Sequence, residues 1–494
     1  MNYLVIDVGT SSMRGVLYNC DGKVLYSHQL TYHVIYLNDI LAEQNPQDWE
    51  SALYSIIAKV YGYCQTSGLS ISAISLTCQR SSIIPVDKDG TPLSNAIMWM
   101  DKRNQDICQE LSSMNSFIFQ KTGATLNTVF SGSKMTWVRR AEPEIYKRTY
   151  KFLTIADYLT YLMTGEFKTD HTYGGRSLLM NLYSKKWDPE LLDIFEVDES
   201  KLCELVSPGS IIGYTTSGFL SKTGIPVGTP LISAGGDQQC AALGQGLSSQ
   251  GTLEITAGTG AFILAYSDSV PSDLAMNTIC GPHAIPGKYV LESSILSCAS
   301  LYNWCINAFL DSSSKDSKTA IKQLNVLVEN TPAGSNGCIS LPFFQGRGTP
   351  DWNSKATGSF MNVTLKTTKG DFVRSILEAI VYELSHNINI LESYLGEAKQ
   401  IYLGGGLSRF SLFNQIQADV YEKELLLNDN GEQTALGAYL SAAVTMHRFS
   451  TYEEAVLFIQ QEQHFEKYVP DSANSIIYHA QKEKSTRYYN ILYK

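Results

Sequence analysis

The segment IDVGTSSMR, residues 6–14, combines a carboxylate, a glycine and three hydroxyl side chains within nine positions. Glycine lets the backbone approach a phosphate closely, neighbouring N–H and hydroxyl groups donate to its oxygens, and an acid nearby holds Mg²⁺. The segment ITAGTGAF, residues 255–262, and the glycine triplet at residues 404–406 are turns of a similar kind. Each turn alone is also compatible with an ordinary hairpin or loop, whereas the three together predict a nucleotide site.

A second kind of chemistry is indicated by Asp237, which follows two glycines in AGGDQQ. Transfer of a phosphoryl group to a hydroxyl needs a carboxylate that takes the hydroxyl proton as the new bond forms. Asp237 lies between an apolar segment and a helical one, which predicts a position at a helix start facing a cleft. A helix N-cap aspartate has the same sequence context. The pattern alone therefore leaves both interpretations open.

The elements that position these residues follow from the apolar pattern. Strand, hairpin and strand are predicted from residue 3 to residue 28, and a helix from Asn45 to about Ser67. Residues 251–268 repeat the strand–turn–strand pattern of the beginning. Two halves that each begin with such a hairpin predict two similar α/β domains, residues 1–247 and 248–494, with the ligand site in the cleft between them.

The composition is that of an ordinary globular protein, with 494 residues of which 44% are hydrophobic and 17% charged. A net charge of −10 gives no broad positive field, so neither nucleic acids nor anionic membranes are expected as partners. The ten cysteines form no CxxC pair, and no long apolar run occurs. We therefore expect a reduced, cytoplasmic protein that holds phosphate by local backbone geometry and a metal ion.

The order of motifs along the chain resembles that of the FGGY carbohydrate kinases, which belong to the actin-like ATPase superfamily. The motifs are DVGTSSMR, QR…MWMDKR, DYLTYLMTGEFKTD, GGDQQCAALGQG, AGTGAF, GGGLSRF and EQTALGA. The resemblance covers nearly the whole chain and implies an α/β fold of two actin-like (ribonuclease H-like) domains. It also implies phosphoryl transfer from ATP, with Mg²⁺, to a hydroxyl of a small sugar, ketose or polyol. It leaves the oligomeric state open, a homodimer included.

The resemblance implies roles for single residues as well. Asp237 is the expected general base, and Gln238 beside it is the expected contact to substrate hydroxyls. Asp7 is expected to hold Mg²⁺, directly or through water. The expected contacts to ATP and its phosphates are Thr10, Ser11, Arg14, Gly258, Thr259, Gly405 and Gly406.

The loops after two further strands are implied to line the sugar pocket through Gln79, Arg80, Trp99 and Asp101. An arginine fork binds neighbouring hydroxyls, and an indole covers the apolar face of a carbon chain. A buried tryptophan and a surface arginine without contact to any ligand are the simpler alternative for two of these residues.

Two pocket positions depart from the glycerol kinases of this family. Glycerol kinases have Glu after the QR pair, where this chain has Ser81, and Tyr before FSG, where it has Val129. The missing carboxylate and ring remove two contacts to glycerol and leave room for a longer chain, so an acceptor of about four to six carbons is expected. A glycerol kinase proper is the first alternative. A non-catalytic, sugar-sensing nucleotide-binding protein is the second, and the presence of both Asp7 and Asp237 disfavours it.

Overall fold

The computed structural model describes residues 1–310, 317–428 and 431–494, and each half of the chain builds one large mixed sheet. The strands up to residue 236 are Asn2–Val8 (β1), Ser12–Asn19 (β2), Val24–Thr31 (β3), Ile35–Tyr36 (β4), Ala42–Gln44 (β5), Ala73–Cys78 (β6), Ile84–Val86 (β7), Ala96–Ile97 (β8), Lys151–Leu153 (β9), Lys168–Asp170 (β10), Glu204–Val206 (β11), Ser210–Tyr214 (β12) and Pro230–Gly236 (β13). The helices are Pro46–Thr66 (α1), Gln105–Glu110 (α2), Asn115–Thr122 (α3), Ser131–Ala141 (α4), Pro143–Arg148 (α5), Ile155–Thr164 (α6), His171–Gly174 (α7), Pro189–Ile194 (α8), Ser217–Thr223 (α9) and Asp237–Gln245 (α10).

The second half continues with the strands Thr252–Ala257 (β14), Ala261–Ser267 (β15), Ile279–Pro282 (β16), Tyr289–Ile295 (β17), Ile339–Leu341 (β18), Ser359–Met361 (β19), Gln400–Gly404 (β20), Leu425–Asn428 (β21) and Phe465–Tyr468 (β22). Its helices are Ala299–Phe309 (α11), Ser317–Glu329 (α12), Lys369–Leu395 (α13), Ser411–Tyr421 (α14), Gln433–Thr445 (α15), Tyr452–Gln461 (α16) and Ser472–Tyr493 (α17).

Five strands of each large sheet share one topology. The first has the order β12-β13-β6-β1-β2-β3, in which β1, β2 and β3 are antiparallel while β6 and β13 run parallel to β1. The second has the order β16-β17-β15-β14-β20-β21-β22, in which β14, β15 and β17 are antiparallel while β20 and β21 run parallel to β14. This repeat agrees with the predicted similarity of the two halves.

Apolar residues form a core on each sheet and a third core between the sheets. The third core contains α10 and α15, whose backbones cross in close contact. A Cβ atom on Gly437 would lie 1.8 Å from the carbonyl oxygen of Cys240, and one on Gly244 would lie 2.0 Å from that of Gln433. Only glycine therefore fits at this crossing, which joins the two halves next to the start of α10.

The local predictions are correct for the helix after Asn45, since α1 has that residue as its N-cap and ends at Thr66. The region 104–165 holds five α-helices and the short strand β9, which pairs with β7. In the described residues no helix is both long and apolar enough to span a membrane.

Candidate active site

The first predicted phosphate turn joins β1 to β2, and the antiparallel register places Asp7 opposite Arg14. Arg14 Nη2 lies 3.3 Å from Asp7 Oδ2, and Nη1 of the same guanidinium pairs with Glu432 just before α15. Burial raises the pKa of Asp7 from 3.8 to about 6; Arg14 opposes this shift, and the nearby carboxylate of Asp237 adds to it. The structure thus brings together two predicted site residues and one acid from the second half.

Three side chains from other elements support this turn. Tyr32 Oη and Gln79 Nε2 donate to the carbonyl oxygen of Gly9, at 2.8 and 3.1 Å. Trp99 Nε1 donates to Thr10 Oγ1 at 3.1 Å, and Ser11 is exposed at the tip. Gln79 is itself buried, and its side chain links the turn to the loop after β6.

Asp237 is the first residue of α10, directly after the carboxyl end of β13. Its Oδ1 accepts from the backbone N–H of Gln238 at 2.8 Å and lies 3.5 Å from Arg80 Nε. Burial raises the pKa of Asp237, while Arg80 and, less strongly, Arg176 lower it. Gly236, and not Asp237, occupies the N-cap position, so the aspartate side chain is not used as a cap.

Two residues that the sequence reasoning missed complete the charges around Asp237. Glu292 on β17 has Oε2 at 3.9 Å from Arg80 Nη1 and at 4.0 Å from Arg176 Nη1. Arg176 belongs to a 3₁₀ turn after α7, and its guanidinium lies over the ring of Phe130 at 4.5 Å. Both lie far from Asp237 in sequence, and Glu292 comes from the second half of the chain.

The predicted sugar-pocket residues have different surroundings. Trp99 is partly exposed, at 37%. Asp101 is fully buried: its oxygens accept from the backbone N–H of Ala42 at 2.7 Å and from Arg103 at 2.9 Å. Asp101 therefore holds the Trp99 loop in place, because both of its oxygens are occupied by donors of the protein.

The two positions that depart from glycerol kinases flank this loop. Ser81 is buried, has a φ of 72°, and its Oγ has no hydrogen-bond partner among the described residues. Such a backbone conformation is strained for a residue other than glycine and is often found at ligand sites. Val129 is half-buried, and its carbonyl oxygen accepts from the buried ammonium of Lys134, which also contacts the carbonyl oxygen of Trp99 at 3.4 Å. Burial lowers the pKa of Lys134 to about 7.

The glycine turns of the second half lie against each other. The carbonyl oxygens of Gly258 and Thr259 accept the backbone N–H groups of Ala299 and Cys298 at the start of α11, each at 2.9 Å. Gly405 has a φ of +89°, and a Cβ there would lie 2.4 Å from the carbonyl oxygen of Ala257, directly before Gly258. Gly406 is exposed and has no atom within 4 Å of the position of a Cβ. The backbone is thus open to a ligand beside Gly406.

Two large mixed sheets of similar strand order, with Asp7 and Asp237 at the first and the glycine turns at the second, define the class of the fold: a two-domain α/β protein. The fold is the same as that of a xylulose kinase from Rhodospirillum rubrum, with a TM-score of 0.93 at 22% identity over 100% of this chain and 99% of the other. A gluconate kinase from Lactobacillus acidophilus gives 0.90 at 24% identity, over 99% and 98%. A Plasmodium falciparum glycerol kinase with ADP gives 0.89 at 25% identity, over 99% and 98%.

The sequence gives the family. Residues 2–244 match the N-terminal domain of the FGGY family of carbohydrate kinases, and residues 253–446 match its C-terminal domain. The glycerol kinase of Thermococcus gammatolerans is 30% identical over 98% of this chain and 97% of its own length, and that of Bacillus subtilis is 31% identical over 90% of each. The chain belongs to the FGGY family of carbohydrate kinases. It is an ATP-dependent kinase of a small sugar or polyol, which confirms the predicted family, fold class and type of reaction.

Proposed function

We propose that Asp237 is the general base of this kinase and that the acceptor is a sugar, ketose or polyol of about four to six carbons. The observation that supports this proposal is the position of the Asp237 carboxylate. It lies at the start of α10, beside Arg80 and close enough to Asp7 for the two charges to interact. The hydroxyl proton passes to Asp237 as the acceptor oxygen forms its bond to the phosphorus and the bond from the phosphorus to the ADP oxygen breaks.

The surroundings of Asp237 suit this role. Burial raises its pKa, which makes the carboxylate a stronger proton acceptor than an aspartate in water. Arg80 and Arg176 oppose the shift and favour the ionised form that a base needs. Gln238 lies next to the base on the first turn of α10, where we propose that its amide contacts the acceptor hydroxyls.

Asp7 is the proposed Mg²⁺ ligand, and the residues present fit this ion. No group of three or more His, Cys, Asp or Glu side chains suited to a metal occurs in the described part of the chain. Mg²⁺ in phosphoryl-transfer enzymes is commonly held by one or two carboxylates together with substrate phosphates, so a single acid beside a phosphate turn is sufficient. The bound ion supplies positive charge that neutralises the phosphates during transfer.

The ATP contacts are proposed at the remaining predicted positions. Thr10, Ser11 and Arg14 offer hydroxyl and guanidinium donors on the first turn, and the backbone at residues 258–259 and 405–406 offers a close approach in the second half. We also propose the division into an acceptor-binding domain, residues 1–247, and an ATP-binding domain, residues 248–494. Each division holds one of the large sheets. All ten cysteines are free thiols, which supports a reducing compartment such as the cytoplasm.

Glycerol is the second candidate acceptor, because the curated relatives of about 30% identity are named glycerol kinases. The chain differs from the glycerol kinase pattern at Ser81 and Val129, and both replacements are smaller than the expected Glu and Tyr. A pocket without that carboxylate and ring is expected to favour a longer acceptor by about 10²-fold in kcat/KM.

The test is a screen of the purified protein with ATP and Mg²⁺ against glycerol, pentoses, ketoses, polyols and aldonates, read by ADP release. We expect one acceptor longer than glycerol to give the highest kcat/KM. Asp237→Asn should lose about 10²–10⁴-fold in turnover and keep acceptor binding, because the amide is nearly isosteric but cannot take the proton.

The control is Asp39→Asn, since Asp39 is exposed on a loop and has the same side-chain type. An Asp237→Asn variant with wild-type turnover would refute the base assignment. A wild-type preference for glycerol over every longer compound would make glycerol the acceptor.

A further inference from the structure

The guanidinium of Arg176 is largely buried, and none of its nitrogens has a hydrogen bond to a described residue. Its side chain is 15% exposed, and its buried Nε has no hydrogen-bond partner in the described part of the chain. Nη1 lies 4.0 Å from Glu292 Oε2, which is beyond hydrogen-bond distance. A guanidinium has five N–H donors, and leaving them unpaired away from water costs free energy. An oxygen atom of a bound molecule beside this guanidinium would therefore lower that free-energy cost.

Glu292, the nearest acid to Arg176, is also largely buried. Its side chain is 10% exposed, and its carboxylate lies 3.9 Å from Arg80 and 4.0 Å from Arg176. A hydroxyl oxygen can lie about 2.8 Å from a guanidinium nitrogen and also about 2.8 Å from a carboxylate oxygen. The 4.0 Å between Arg176 and Glu292 is compatible with a hydroxyl that bridges them in this way. A hydroxyl also matches both partners, because it accepts from the guanidinium and donates to the carboxylate.

The structure has room for such a group. A cavity of about 20 Å³ lies beside Arg176, and its lining includes Phe130, Thr172, Gln239 and Glu292. A volume of roughly 10–15 Å³ is enough for one water molecule, so the cavity accepts one hydroxyl group. The ring of Phe130 under the guanidinium fixes its orientation.

The location relates this pair to the acceptor. Arg80 contacts Asp237 on one side and Glu292 on the other, so it joins the proposed base to the pair. Phe130 directly follows Val129, the position where the chain lacks the tyrosine of glycerol kinases. We expect the smaller side chain at residue 129 to leave more room on this side of the pocket.

We propose that Arg176 and Glu292 form a subsite that binds a hydroxyl of the acceptor remote from the one that is phosphorylated, and that this subsite selects uncharged polyhydroxylated acceptors longer than glycerol. The proposal rests on the assignment of the acceptor pocket around Asp237. The carboxylate of Glu292 repels an acceptor that carries its own carboxylate, so sugar acids are disfavoured. We expect glycerol, which has three carbons, to bind at Asp237 without using this subsite.

The experiment combines protein variants with shortened acceptors. Arg176→Met, Arg176→Lys and Glu292→Gln are compared with the wild type on D-xylulose, xylitol, D-glucitol, D-gluconate and glycerol. Arg176→Met should lower kcat/KM for the best five- or six-carbon acceptor by about 10- to 100-fold, mainly through KM, and change glycerol less than about threefold. Glu292→Gln should raise kcat/KM for D-gluconate, relative to kcat/KM for the neutral acceptors, by about tenfold. Arg487→Met, an exposed arginine on the last helix, is the matched control.

Equal losses on glycerol and on the longer acceptors would overturn the subsite, as would an unchanged preference in both Arg176 variants. Calorimetric titration of D-xylulose, xylitol and D-glucitol without ATP measures acceptor binding independently of phosphorylation. It therefore tests the subsite separately from the proposed function. If the wild type phosphorylates none of the compounds, the proposed acceptor class fails. The subsite is then supported only if Arg176→Met weakens acceptor binding in the titration, and absent or unchanged binding overturns it.

Discussion

Replacing Asp7 by asparagine should stabilise the protein in the absence of ATP and Mg²⁺. The carboxyl is largely buried, and its pKa is raised from 3.8 to about 6. The folded state therefore binds the proton more tightly than the unfolded state does, and the stability falls as the pH rises from about 4 to about 6. Above that window the ionised carboxylate destabilises the fold by about 3 kcal/mol, since each pKa unit corresponds to about 1.4 kcal/mol. Asparagine is neutral and removes this term.

The assay is urea-induced unfolding of the wild type and of Asp7→Asn at pH 7.5 and at pH 5. We expect the variant to gain up to about 3 kcal/mol at pH 7.5 and about half of that at pH 5, where ionisation of the wild-type carboxyl is mostly suppressed. Asp39→Asn, an exposed aspartate, should change little at either pH. A variant that is less stable than the wild type at pH 7.5, or a gain independent of pH, would refute the reasoning.

The same unfolding measurement with Mg²⁺ and ATP present tests the role of Asp7 in function. Mg²⁺ with ATP should stabilise the wild type more than the Asp7→Asn variant. The metal binds the ionised carboxylate, which is the form that burial disfavours in the free protein. The same substitution should therefore raise the stability of the free protein and abolish turnover. Equal stabilisation of both proteins by Mg²⁺ with ATP would contradict the role of Asp7 in binding the metal.

Three further outcomes are expected. The kcat/KM of the wild type should fall as the pH drops below about 6, because protonation of Asp7 removes the metal ligand; a flat profile between pH 5 and 7 would exclude this. Ser81→Glu combined with Val129→Tyr should raise kcat/KM for glycerol relative to longer polyols by about tenfold in steady-state assays, and no change in this ratio would contradict the pocket interpretation. Gly437→Ala should lower the free energy of unfolding by about 1–3 kcal/mol or more, whereas Gly62→Ala, with no atom within 4 Å of its Cβ position, should be neutral or stabilising in the same urea titration.

The sequence was sufficient for the features that depend on local pattern. The glycine turns, the strand before Asp7 and the helix beginning at Asp237 are each defined by a few adjacent residues, and the structure has them at those positions. The family and the type of reaction followed from the order of these motifs. The roles of the individual site residues stay predictions.

The contacts across the cleft were beyond the reach of sequence pattern. Glu292 is 212 positions from Arg80 and 116 from Arg176, and no periodicity relates such residues. Glu432 lies in the EQTALGA motif, yet only the structure relates it to Arg14. Asp101 had the right type for a sugar contact, but the donors that occupy its oxygens come from Ala42 and Arg103.

The packing of α15 has a consequence for the order in which the chain folds during synthesis. This helix, near the end of the chain, covers part of the first sheet: Ser75 Oγ on β6 donates to the carbonyl oxygen of Ala438 at 2.7 Å, and Tyr3 and Val5 share its core. Residues 433–445 leave the ribosome only after the whole first sheet has emerged. Part of the apolar surface of the first sheet therefore stays exposed until α15 has been synthesised. A premature stop after residue 432 should therefore leave a protease-sensitive product. The sensitivity should extend to the half that carries Asp237, although the missing segment is far from it in sequence.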